Sequence, residues 1–162
     1  MQTMTKCRTH DPAAFLAIFI IMHVGAWIYN TFISEPPLST DFILGMGLGA
    51  ALTVYTCYRS MLKKRAASKN ATLPITIASI ATLLALPFTI ILGTYLGGTM
   101  VAGFISLIIQ AVLHAQSVIL LGLGTWLGIG LGSFIVAVLP TLFAANLGYA
   151  AGRALQKQFW PE

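Results

Sequence analysis

The sequence predicts an all-α polytopic integral membrane protein: a helix bundle of five transmembrane helices, or six, with glycine-rich packing. Three observations predict it. Asp, Glu, Lys and Arg make up 8% of the 162 residues, against about 25% in an ordinary soluble domain. Hydrophobic residues make up 57%, and the mean hydropathy is +0.87. The few charges leave three charge-free stretches, 12–34, 42–58 and 70–152, and a crossing helix needs about 20 apolar residues to span about 30 Å of hydrocarbon. A soluble globular protein, a disordered chain and a nucleic-acid-binding domain are excluded. The length fits one transmembrane domain over 1–162 and no second.

The first span is expected at 12–33. Its apolar run of about 20 residues exceeds the roughly 7–15 of a signal-peptide core, and no small-residue cleavage site follows, so it reads as a retained anchor. His23, Trp27 and Asn30 fall on one face at helical spacing. His23-x3-Trp27 resembles the gating pair of the influenza proton channel, in which a His relays protons and a Trp gates. That resemblance rests on two residues and implies a proton relay at His23, since an imidazole titrates near physiological pH. The other reading is a histidine hydrogen-bonded to a neighbouring helix.

The second span is expected at 41–62 and leads into a basic loop, 59–70, holding Arg59, Lys63, Lys64, Arg65 and Lys69 without an acid. An excess of Lys and Arg in a short loop marks the cytoplasmic side. The N-terminus, with Lys6 and Arg8, is then cytoplasmic too, and the 34–41 loop, with Glu35 and Asp41, faces outward. A bacterial inner membrane is the expected location.

The stretch 70–152 has to hold several spans, and glycine and aromatic positions divide it into 73–96, 99–121 and 125–150. Gly93, Gly97 and Gly98 mark one break. Gly122, Gly124 and Thr125 mark another, with Trp126 beside them at an expected headgroup level. Five spans leave Arg153 and Lys157 on the outer side, against the charge rule; a sixth returns them inside. Pro87 and Pro140 lie within spans and free the carbonyls of Leu83 and Val136. Such carbonyls either line a path or are satisfied by neighbours at a static kink.

Glycines four apart recur as Gly45/Gly49, Gly93/Gly97, Gly124/Gly128, Gly128/Gly132 and Gly148/Gly152. Random placement would give about one such pair. Small residues let membrane helices approach closely, so this set is expected at helix contacts, within the chain or between subunits.

The fourth span carries Gly103, Ser106, Gln110, His114 and Ser117 at spacings that hold one helix face. A polar stripe in a lipid-embedded helix should face protein or water. It is expected either to line a pathway, with His23, Trp27 and Asn30, or to fix packing by interhelical hydrogen bonds. His23 and His114, about 16 and about 10 Å from the inner face by their places in the spans, are also read as a pair of haem ligands despite that mismatch; the primary expectation is no cofactor and no metal.

Enzyme chemistry has no footing. All four carboxylates lie in termini or the 34–41 loop, with Asp41 at the very start of the second span. HExxH, GxSxG and phosphate-loop motifs are absent. The expected function is therefore non-enzymatic: a channel, facilitator or transport-complex subunit for a small polar solute or protons. The alternative is a structural accessory subunit of a larger membrane complex, with or without haem. The expected partners are the lipid bilayer and either copies of the chain or other membrane subunits, and no nucleic acid.

Overall fold

The computed structural model describes residues 11–34, 37–67, 71–113 and 118–159. They form α1 (Pro12–Phe32), α2 (Thr40–Ala67), α3 (Thr72–Gly93), a π-helical turn (Thr94–Gly98), α4 (Thr99–Leu113) and α5 (Val118–Phe159). No strand occurs among the described residues. The turn joins α3 to α4 without a break. The result is four helices long and apolar enough to cross a membrane: Pro12–Phe32, Thr40–Ala67, Thr72–Val112 and Val118–Phe159. The chain is an integral membrane protein.

Local chemistry accounts for the ends. Asp11 accepts hydrogen bonds from the Ala13 and Ala14 amides at 3.1 and 3.2 Å. Pro12 opens α1 where a missing N–H costs nothing. Asn30 Oδ1 accepts from the Leu38 amide at 2.7 Å and ties down the connection to α2. Lys64 and Arg65 lie in the last turn of α2, where cations favour the helix dipole.

Four long helices replace the five or six expected, and the expected boundaries at 96–99 and 121–125 are not chain breaks. The glycines there do different work. None of the fifteen has left-handed backbone; all sit in helices, most of them where another helix comes close. A Cβ at Gly97 would collide with the Gly132 carbonyl, and one at Gly132 with Gly97. Further along, a Cβ at Gly128 would lie 2.5 Å from Ala102 Cα, and one at Gly152 the same distance from Pro74 Cα. Gly148 meets Ala81 and Ala78, and Gly124 meets Ile109 and Ile105. The residues that looked like turns are the seam of a long antiparallel hairpin.

That hairpin is one half of the bundle, and α5 is its centre. Helices α2, α3 and α4 all pack on α5, whereas α1 packs on α2 alone. Gly45 faces Ile129, and Gly49 faces Ser133 and Gly130, so α2 runs parallel to α5. Phe15 meets Tyr55 at a ring separation of 5.2 Å, and His23 lies over Gly47, so α1 runs antiparallel to α2. The directions therefore alternate along the chain. The C-terminal ends of α2 and α5 share one end of the bundle, with all six described Lys and Arg residues; Asp41 is at the other. Lys64 donates to Asn146 Oδ1 and sits 4.6 Å over the Tyr149 ring, pinning the basic ends together.

Hydroxyls in the core bond their own helices. Thr53, Thr82, Thr94, Ser133 and Thr141 are buried and donate to Gly49, Ala78, Ile90, Gly130 and Ala137 carbonyls. One pair also crosses between helices, Thr89 to Thr141 at 2.8 Å, next to Pro87 and Pro140. Both prolines point outward.

Two outcomes follow from this packing. Gly128→Leu should abolish the folded chain, whereas Gly103→Leu, with no atom within 4 Å of its added Cβ, should shift stability by no more than about 0.5 kcal/mol. Thermal melts in mild detergent compare the two. Thr141→Val should cost about 0.6–1 kcal/mol by removing the crossing hydroxyl, read in the same melts.

Candidate functional site

Glycine and alanine backbones close the described core where they meet, at Gly97 with Gly132 and at Gly128 with Ala102. Space opens instead at the Asp41 end, in a cleft of about 540 Å³ between α1, α2 and α5. Phe19 and His23 contribute one wall, Asp41 and Leu44 the second, and Val118, Gly122 and Trp126 part of the third. The cleft exists because α1 leans on α2 and not on α5.

His23 is seated by three features of the sequence. Its Nδ1 lies 2.8 Å from the Phe19 carbonyl one turn earlier. A donor is required against a carbonyl, so the proton sits on Nδ1 in the neutral ring and Nε2 is left as an acceptor. The Phe19 ring lies 4.0 Å from the imidazole centroid. Gly47 on α2 leaves the space that the ring fills: a Cβ there would lie 2.9 Å from His23 Cδ2.

Asp41 stands in the first turn of α2, where free amides favour a carboxylate. A Cβ at Gly122 would be 3.7 Å from Asp41 Oδ2, so the carboxylate overlooks a bare patch of α5. One turn further, Trp126 Nε1 is buried without a hydrogen-bond partner among the described residues. An unpaired buried N–H is an exception in folded chains. The cleft thus joins one acid, one imidazole and one unsatisfied indole within apolar walls. Neither Asp41 nor Trp126 was a candidate from sequence, where one read as loop charge and the other as an interfacial aromatic. The spacing of Val118, Gly122 and Trp126, four apart on one face, was the available signal.

The expected sites divide. His23 lines the cleft, but Trp27 does not: it is 46% exposed on the outer side of α1, and the indole that shares the cleft with His23 is Trp126. Asn30 is engaged by the Leu38 amide. Along the π-helical turn and α4 the packing edge is Gly98, Ala102, Ile105 and Ile109, one residue out of step with the polar stripe. Gly103 therefore faces open space, Gln110 is exposed and Ser106 is half-buried. The stripe looks away from α5. His114 and Ser117 lie outside the described residues, and with them the second ligand of the haem reading. Among the described residues no three His, Cys, Asp or Glu gather around a metal-sized space. Gly45, Gly49, Gly124, Gly128, Gly132, Gly148 and Gly152 are all at contacts within the chain.

No family model matches the chain, and no curated protein or solved structure is similar to it.

Gly47→Ala tests how His23 is held. The added methyl should push the imidazole out of its seat at a cost below about 1 kcal/mol, since a side chain can swing where backbone cannot. In spectra of histidine-labelled protein, one of the three His signals should shift and two should stay.

Proposed function

We propose that the chain is a non-enzymatic membrane transport protein, a facilitator, channel or transport-complex subunit for a small polar solute or protons, entered through the cleft at the Asp41 end. The observation that carries this reading is the joining of His23 and Asp41 in one open cleft whose other walls are apolar. Polar groups at membrane depth are costly and concentrate where solutes pass. An imidazole with a free acceptor nitrogen can take up and release a proton.

The charge distribution supports an orientation. Arg59, Lys63, Lys64, Arg65, Arg153 and Lys157 gather at one end, and Lys6 and Arg8 precede α1 at that end in the sequence. With the basic end cytoplasmic, both chain ends lie inside and the cleft opens outward. Four crossings remove the conflict that five created at Arg153 and Lys157. We infer a bacterial inner membrane from the same charge asymmetry.

The exposed face of α4 favours a second reading, a structural accessory subunit or homo-oligomer. Gln110 and Gly103 on an otherwise apolar helix would find partners on another chain.

Flux separates the readings. Liposomes holding the purified protein and a pH-sensitive dye should dissipate an imposed proton gradient faster than protein-free liposomes. His23→Ala should return the rate to that of protein-free liposomes, and Gln110→Ala should leave it unchanged. A wild-type rate equal to the protein-free rate, or no effect of His23→Ala, overturns transport through the cleft and favours the accessory subunit.

A further inference from the structure

We infer that the cleft between α1, α2 and α5 is a binding site for an amphiphilic organic cation, with Asp41 as its charge partner and the Phe19 and Trp126 rings as its walls. This goes beyond the small polar solute or proton of the transport reading and rests on that reading only in taking the cleft as a solute entrance. The first-turn position accounts for an acid at Asp41. It does not account for a cleft of about 540 Å³ opening in front of that acid, nor for a glycine at 122 that leaves the facing helix bare. The volume is in the range of sites for drug-sized molecules.

Charge and composition exclude the other occupants. An anion would meet the Asp41 carboxylate, and among the described residues no Lys or Arg lines the cleft to offset it. An anionic phospholipid headgroup brings a phosphate with no compensating ammonium and meets the same objection. An inorganic cation needs several oxygen ligands, and the described lining offers one carboxylate and no other side-chain oxygen. A neutral apolar molecule would bury the carboxylate unpaired, which is costly. An ammonium or phosphonium carried on an apolar body pairs the carboxylate, covers Leu44 and Ile119, and places positive charge against aromatic faces.

Tetraphenylphosphonium and tetraphenylborate, nearly the same shape and opposite in charge, test this in nanodiscs by equilibrium dialysis, with protein-free nanodiscs as background. The phosphonium should bind above background, one per chain, and the borate should not. Asp41→Asn should weaken phosphonium binding at least about tenfold. Gly122→Val should weaken it similarly by filling the space before an intact carboxylate, which guards against a folding defect in the Asp41 variant. Equal binding of the two ions, or unchanged phosphonium binding in both variants, overturns the inference. Since no flux is measured, a cation that binds without any proton flux overturns the transport reading alone. Flux with no binding dependent on Asp41 overturns this inference alone.

Discussion

Backbone against backbone at α5 is the contact on which the rest of the structure depends. Lipid tails are as apolar as leucine, so burial of side chains gives membrane helices little reason to associate. What remains is close approach, and at Gly97 and Gly132 neither helix leaves room for a single methyl group. The same helix presents Gly124, Gly128, Gly148 and Gly152 to α3–α4, and Gly130 and Ser133 to α2. Few large side chains then enter the core, Ile43, Met46, Leu86, Ile90 and Ile129 among them. Leucine, isoleucine and phenylalanine turn outward along α3, α4 and α5, toward the only solvent that welcomes them.

A core built this way has consequences for function. Its hydroxyls lie at contacts too tight for water and bond the carbonyl a turn earlier. Where those glycines meet, the bundle is therefore sealed by backbone. Any chemistry of binding or passage is displaced to where glycine packing stops, and α1 is where it stops. Only 6% of its most apolar window is buried, and it touches α2 without reaching α5. The cleft follows from that incomplete closure.

The class of protein and the first two helices were legible because they depend on composition and charge alone. The charge-free stretch that opens after Asp11 has one reading, and the basic run after Arg59 ends α2 wherever the membrane ends. The later helices were not legible, because a glycine pair means either a turn or a contact, and the partner decides. Gly93, Gly97 and Gly98 have their answer in Gly132, Ser133 and Ile129, some 35 residues on. Length misled in the same way. Large exposed apolar side chains run from Ile80 to Val112 and from Val118 to Leu147, about 45 Å each at 1.5 Å per residue. Division by the usual 20 residues makes three spans of what is a pair of long ones, with the excess taken up by tilt or by projection beyond the hydrocarbon. The spacing of the stripe on α4 names no neighbour, and the face that meets α5 is one residue away from its described part.

The seal and the cleft are written in one short segment. In Gly45-x-Gly47-x-Gly49 successive glycines are about 200° apart around a helix, so the outer two share a face and the middle one opposes them. Gly45 and Gly49 meet Ile129 and Ser133 of α5; Gly47 meets His23 of α1. On one face the missing side chains bring backbones together, and on the other the missing side chain makes room for an imidazole. A leucine at 45 or 49 would attack the fold, while a methyl at 47 would attack only the seat of His23. Within one turn of α2, then, the positions that hold the bundle and the position that shapes the cleft are separable. Structure and function at this helix can be changed independently, although the same residue type serves both.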